Sequence, residues 1–336
     1  MAIHIISGQV GYGVTAENRD GLAYLLRTTD GGKRWSIIRN YNGSFTFLSW
    51  SGEIGVATLE TGGSVRGQFN VELIVTKNEG ESWHSVRARK ERSNPRMNWG
   101  IEPYAHVMGN GSIWILESPE AATTGMQAPV WVSHNGSNSF HQVTLPNGTT
   151  STGGFSADAS GKTVALTVEK SSSRTFSVLV GNDRIGWTNI GPHSATPIYA
   201  IDYASKSQIF VGGGNFAKFV ISPAEEVWSI DPAHIVPPQI LWRREAPRIG
   251  QYQPIVALQI RHGNGYFLTG GIPMGGELPA PGPLFTIHNG GKCAEKTPIN
   301  GITFDTFGQS VWVAGDGQAL YKSSNYGTTW HPQSKR

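Results

Sequence analysis

TTDGGKRW, residues Thr28 to Trp35, returns along the chain as TKNEGESW (Thr76 to Trp83) and SSNYGTTW (Ser323 to Trp330). Weaker copies are SHNGSNSF (Ser133 to Phe140) and TIHNGGKC (Thr286 to Cys293). A unit that recurs every few tens of residues marks a repeat architecture. Each position of the pattern Ser/Thr-x-Asp-x-Gly-x-x-Trp has a physical reason. Asp30, replaced by Asn78 and Asn325 in the other two strong copies, carries a side-chain oxygen that accepts N–H groups of its own turn. Gly32, Gly80 and Gly327 follow two residues later and allow a positive φ at little cost. Trp35, Trp83 and Trp330 open the next strand and bury a large apolar face, worth roughly a few kcal/mol. These nine residues read as staples of a hairpin, with no metal or substrate to hold.

Outward from the turns, the chain is a succession of short apolar strands. GYGVT and AYLLRT precede the first turn; ITFDTFG, VWVAGDG and ALYKS precede the last. The same order appears in FTFLSWSGEIGVATL, YAHVMGNGSIWILES and IVALQIRHGNGYFLTGG. Two further units lack the turn: FSADASGKTVALTVEK with TFSVLVGNDRIGWTNI, and IYAIDYASKSQIFVGGGNFAKFVIS. Taking Trp35, Trp83, Phe140, Trp187, Trp242, Cys293 and Trp330 as equivalent gives spacings of 48, 57, 47, 55, 51 and 37 residues, room for four short strands each. Trp242 is preferred to Trp228, which makes Pro223 to Gln239 an insertion in place of the fifth turn. The expected fold is all-β: a seven-bladed β-propeller of four-stranded antiparallel sheets, one domain over residues 1–336. The expected blades are 1–40, 41–88, 97–146, 153–192, 196–247, 253–297 and 299–333, with no strand exchanged between first and last.

The turns and paired strands resemble the Asp-box (BNR) repeat. TTDGGKRW and GYGVT in particular are similar to photosystem-stability-factor-type propellers of the sialidase-like superfamily. The resemblance covers nearly the whole chain as architecture and implies a fold more sharply than a function, since that superfamily holds glycosidases, sorting receptors and assembly factors. For a sialidase it implies three arginines on a carboxylate, a Tyr/Glu couple, an Asp acid/base and an early Arg-Ile-Pro string. The first blade lacks that string, since Arg19 sits in ENRDGL and Arg27 immediately precedes a staple turn; the nearest match is PRIG, Pro247 to Gly250, in a later blade and without the proline after isoleucine. The xyloglucan-cleaving propeller enzymes use two such domains and two aspartates; this chain supplies one domain. Glu102, Asp158, Asp202 and Asp305 are its candidate acids, with Asp158 and Asp305 read as turn formers ahead of SGK and FGQ.

Composition narrows the remaining classes. The chain has 43 glycines and 11 tryptophans but only 15% charged residues, as a turn-rich, well-anchored β protein should. No apolar run approaches the roughly 20 residues of a transmembrane helix. A signal peptide is not visible, and the chain is expected to be soluble, compatible with the mature part of an exported protein. One cysteine, Cys293, excludes an internal disulfide and a cysteine-rich zinc site. The ten histidines show no metal spacing such as HExxH, so neither metal nor cofactor is expected. Net charge is +3, yet Ser85 to Arg96 alone carries Arg87, Arg89, Lys90, Arg92 and Arg96 against Glu91. That concentration is too local for a nucleic-acid face.

Since the repeated residues are committed to the scaffold, function should lie in the loops opposite the staple turns. Arg92, Arg96, Trp99, Tyr104, Arg248 and Tyr252 form the expected partner site, because forked donors and aromatic faces suit recognition. Such a set fits a protein or glycan partner, an anionic one best. The leading reading is a non-catalytic binding module. A carbohydrate-active enzyme of the glycoside hydrolase class and a sugar-binding lectin remain alternatives, and oligomeric state is open.

Overall fold

The structure, a computed structural model, describes residues 2–61, 70–87, 89–90, 104–116, 129–134, 139–158, 160–205, 207–214, 224–232, 237–245, 254–261, 264–270, 281–288, 293–315 and 319–333. These form seven antiparallel sheets of four sequence-consecutive strands each, a seven-bladed β-propeller with no helix among the described residues. The sheets span residues 2–42, 44–87, 104–142, 149–189, 198–245, 255–301 and 303–333. Among the described residues no strand is exchanged between the first and last of them.

The chain divides into two compact units. The first holds blades 7, 1, 2 and 3; the second holds blades 4, 5 and 6. Within each unit the blades stack face to face, and strand alternation decides which neighbour a side chain meets. In the second strand of blade 5, Ile209 and Val211 pack toward blade 4 while Phe210 packs toward blade 6. In the second strand of blade 2, Ala57 and Leu59 face blade 1 and Val56 faces blade 3. Burial on both faces explains why these strands read as unbroken apolar runs.

The staple turns repeat one hydrogen-bond scheme. In the first, Thr28 Oγ1 donates to Asp30 Oδ1 at 2.9 Å and accepts from Gly32 N at 2.9 Å; Arg34 N donates to Asp30 Oδ1 at 2.9 Å. The Thr76–Asn78–Gly80–Ser82 and Ser323–Asn325–Gly327–Thr329 turns make the same three bonds. The backbone amide of Arg34 holds the Asp30 carboxyl below the usual carboxylate range. Trp35 and Trp83 each donate their ring N–H to the carbonyl of the turn glycine, Gly32 and Gly80.

The turns also lock blades together, which the motif does not announce. Tyr12, in the second strand of blade 1, donates its hydroxyl to Glu79 O in the blade 2 turn at 3.0 Å. Trp312, in the second strand of blade 7, donates to Gly31 O in the blade 1 turn at 3.4 Å, and Lys322 Nζ reaches the same oxygen at 2.6 Å. Gly31 and Glu79 occupy the same turn position. A Cβ on Gly80 would lie 2.2 Å from the Tyr12 phenol, and one on Gly32 would lie 2.7 Å from Trp312 Nε1. The turn glycine is thus a docking notch for the preceding blade's aromatic ring as well as a positive-φ position.

The inner strands are joined by a second repeat. An innermost strand has a partner on one side only, so half its amides need acceptors elsewhere. Ile5 N donates to Asp305 Oδ2 (2.6 Å), Val107 N to Ser49 Oγ (3.3 Å), Tyr203 N to Ser156 Oγ (2.9 Å) and Ile260 N to Asp202 Oδ2 (2.8 Å). In each case the acceptor sits on the inner strand of the preceding blade. Asp305 is therefore not a turn former: it is buried, bonds Ile5 N and its own neighbour Thr306 N, and has His4 Nδ1 at 3.2 Å. Asp158 does form a turn, accepting from Lys162 N at 2.9 Å.

Two further expectations need correction. Pro223 to Gln239 is not an insertion, because Ala224–Ile230 is the third strand of blade 5 and Trp228 is buried in its core. NFAKFVIS, residues 215–222, lies outside the described set. Trp242 belongs to the outer strand Gln239–Glu245, three residues past its start, so it is displaced from the staple position. Blade 3 keeps its four antiparallel strands, and Arg89–Lys90, in the basic segment, adds a two-residue strand parallel to Ser139–Phe140 on its outer edge. An outer strand has the same open row of backbone groups as an inner one, and this segment fills part of it.

Gly80→Ala should lower stability by more than Gly52→Ala, measured as the shift in urea midpoint. Both glycines have positive φ (83° and 58°), but nothing lies near a Cβ at Gly52. Gly52→Ala should cost about 1–2 kcal/mol of backbone strain. Gly80→Ala should cost a further 1–3 kcal/mol, roughly, for displacing the Tyr12 ring.

Candidate functional site

The loop-bearing end of blades 2 and 3 lies at the start of each inner strand. Tyr104, the first residue of the blade 3 inner strand Tyr104–Val107, is half-buried there. Its ring stacks on Phe47 from the blade 2 inner strand, with centroids 4.9 Å apart and planes at 28°. His106, two residues on, meets the same Phe47 ring at 4.6 Å. Burial pushes the His106 imidazole down to about 3, so it is neutral at physiological pH.

Glu60 lies at the same end of blade 2, opposite Ser44 of the inner strand. It is the second-last residue of the blade 2 strand Ile54–Thr61 and pairs with Val71 in an unbroken register and with Ser44 beyond a bulge between Phe45 and Phe47. Two residues earlier, Thr58 Oγ1 accepts Ala105 N of blade 3 at 3.0 Å. Alternation places Glu60 on that same blade 3 side, one step nearer the loops. Its Oε1 is buried and has no hydrogen-bond partner among the described residues. Burial raises the Glu60 carboxyl to about 7, and no neighbouring cation among the described residues offsets it. At the same end of blade 2, on its blade 1 side, Tyr41 holds another buried hydroxyl without a partner among the described residues, edge-on to Phe45 at 5.3 Å.

A buried carboxyl without a partner is expensive, and such groups cluster at sites where a ligand completes the bonding. Here it can act as a hydrogen-bond donor when protonated or as a counter-ion when ionised. The adjoining aromatic pair supplies an apolar wall.

Of the six residues expected to form the site, Tyr104 alone falls within the described residues. Arg92, Arg96, Trp99, Arg248 and Tyr252 lie outside them. Arg89 and Lys90, at the head of the same basic segment, run along the outer edge of blade 3. Glu60 carries no signal in the sequence, because a Glu at a strand end reads as a solvated turn residue.

The acids proposed for catalysis have other partners. Asp202 and Asp305 hold amides of the next blade, Asp158 closes its own turn, and Glu102 lies outside the described residues. Arg27 lies over the Tyr12 ring at 5.8 Å, where it serves packing. Glu226, buried in the third strand of blade 5, has Arg243 at 3.4 Å.

No family model matches the sequence, and no curated protein matches it at significant similarity. Solved structures do match the fold. A YCF48 structure with bound D1 peptide is 13% identical, with 96% of this chain and 90% of that one covered and a TM-score of 0.59. YCF48 from Cyanidioschyzon merolae is 16% identical, covering 97% and 95%, with a TM-score of 0.60. An ancestral GH74 enzyme is 13% identical with a TM-score of 0.52; the match covers 98% of this chain and 48% of the enzyme. At these identities the likeness is one of fold. No helix among the described residues is long and apolar enough to cross a membrane.

The raised carboxyl fixes a sign for pH dependence. Between pH 4.5 and about 7 the folded chain retains a proton at Glu60 that the unfolded chain has lost. Stability should therefore fall as pH rises through that window. Glu60→Gln should abolish this component and stabilise the chain at pH 8 by on the order of 3 kcal/mol, read from denaturant midpoints across pH 4–8.

Proposed function

We propose that this chain is a non-catalytic binding module of the Asp-box propeller kind, and that the loop-bearing end of blades 2 and 3 receives an extended segment of a protein partner. The observation that carries the reading is Glu60: its buried Oε1 has no partner among the described residues, and its strand pairs with the inner strand whose Phe47 stacks on Tyr104. A peptide backbone or a basic side chain offers the N–H donors that Glu60 can accept from, and a neutral Glu60 can donate to a peptide carbonyl. Tyr104 supplies contact area with few rotatable bonds, which favours recognition. The basic segment Ser85 to Arg96 precedes the Tyr104 strand in the sequence, and its charge favours acidic residues in the partner.

Two comparisons support this choice. The YCF48 propeller has been solved with a peptide bound, so the shared fold accommodates a peptide. The acids that a glycosidase reading would recruit are engaged between blades: Asp202 and Asp305 each serve an amide of the next inner strand.

The test is selection from a random nonapeptide display library, run in parallel with a glycan array. Peptides should be enriched, and Tyr104→Ala and Glu60→Gln should each weaken the best of them at least about tenfold, the equivalent of about 1.4 kcal/mol. Both variants should keep the wild-type circular dichroism spectrum. Glycan binding that Tyr104→Ala abolishes, with no peptide enriched, would replace this reading by the carbohydrate one. Peptide binding indifferent to both variants would move the site elsewhere.

A further inference from the structure

The weak staple turn of blade 3 differs from the strong ones in its chemistry. SHNGSNSF has Ser137 where the others have glycine, and it is followed at once by His141. Its second position is His134, where the three strong turns carry Thr29, Lys77 and Ser324. The residue after the aromatic anchor is His141 here, and Ser36, His84 and His331 in the others. Blade 3 thus has histidine at both positions, while each of those three has it at one or neither.

Strand register brings these two residues together. Val132, in the third strand, pairs with His141 in the outer strand. His134 lies two residues beyond Val132, so alternation puts it diagonally next to His141 on one face. The ring centroids are 5.4 Å apart with planes at 41°, and the ligand nitrogens lie within 4.8 Å of one another. Both residues are half-buried, next to the anchor Phe140, which is wholly buried. The outer strand that carries His141 is itself held by the parallel Arg89–Lys90 pairing, which limits its fraying.

We propose that His134 and His141 bind one borderline divalent transition metal, of the Zn²⁺, Ni²⁺ or Cu²⁺ type. Imidazole nitrogen suits these ions and does not suit Ca²⁺ or Mg²⁺, which take oxygen. Two nitrogens at about 2.0–2.1 Å from a tetrahedral ion stand about 3.4 Å apart. Small rotations of the two rings about their side-chain bonds bring the nitrogens to that separation. Each imidazole spends one nitrogen on the ion and keeps the other for its own hydrogen-bond partner, which fixes the ring. With two protein nitrogens, the ion retains positions for water or for an outside ligand. The site is thus exchangeable, unlike a closed structural zinc site. It lies on the staple-turn face, independent of the partner site at the opposite end of the blades.

Tag-free protein should be titrated with ZnCl₂, NiCl₂ and CuCl₂ against a competing chromogenic chelator, with CaCl₂ as the control. One equivalent of at least one of the three ions should bind per chain, with no effect of Ca²⁺. His134→Gln and His141→Gln should each weaken binding at least about tenfold, and the double variant should remove it; even outer-shell partners typically carry about 10- to 100-fold of metal affinity. His84→Gln and His331→Gln, on the equivalent turns, should leave stoichiometry and affinity unchanged. Metal-free Tm of the His134 and His141 variants should match the wild type, which separates lost ligation from lost folding. Absence of binding up to millimolar metal, or binding unchanged in the double variant, would overturn the proposal.

Discussion

The inner edge of each blade sets the terms for the rest of the molecule. A strand at the edge of a sheet leaves a row of amides without acceptors, and buried amides do not tolerate that. At four junctions this chain meets the demand with a side chain set on the inner strand and reaching to the next: Ser49, Ser156, Asp202 and Asp305. Because a side chain provides the acceptor, the spacing and twist between neighbouring blades are fixed by covalent geometry. Packing of apolar faces fills the space that these bonds define.

The lock at the opposite end works by the same logic with different groups. A second-strand aromatic, Tyr12 or Trp312, bonds the carbonyl exposed by the next blade's staple turn. The turn must expose that carbonyl, and its glycine must leave room for the ring. A local motif and a long-range contact therefore impose joint demands on two residues, and substitution at either is felt at both. Lys322 shares the task at the blade 7 to blade 1 junction; burial lowers its ammonium below the usual range, and its distance to Gly31 O is 2.6 Å.

Architecture was readable in the sequence because the staple turns are local. All the residues that define Asp30–Gly32–Trp35 fall within eight positions, so their spacing survives in one dimension. The inner-strand acceptors leave no such trace. Ser49 stands between Leu48 and Trp50, and Asp305 between Phe304 and Thr306; each is one polar residue in a strand, with its partner on another blade. Asp305 was read as a turn former for that reason, since the FGQ that follows is a turn and the amide of Ile5 is 300 positions away. The third strand of blade 5 was misplaced because Ala224–Ile230 opens with the charged pair Glu225–Glu226, which masks its apolar core. At the candidate site, Tyr104 is singled out in the sequence by its type, while Glu60 needs the fold. Nothing in TLETGG distinguishes a buried carboxyl from a solvated one until blade 3 covers it.

The direction of the locks has a consequence for the chain ends. Every described bond of both kinds runs from one blade to its successor, and the step from blade 7 to blade 1 uses the same groups as the steps within the chain. His4 and Ile5 meet Asp305 as Val107 meets Ser49, and Gly31 is gripped by Trp312 as Glu79 is by Tyr12. At that seam the non-covalent bonds do what a peptide linker does elsewhere. The seam between blades 7 and 1 is accordingly closed by the same kinds of bond as the steps along the chain. A circularly permuted chain, with its old ends joined and new ones opened between two other blades, would retain every lock described here.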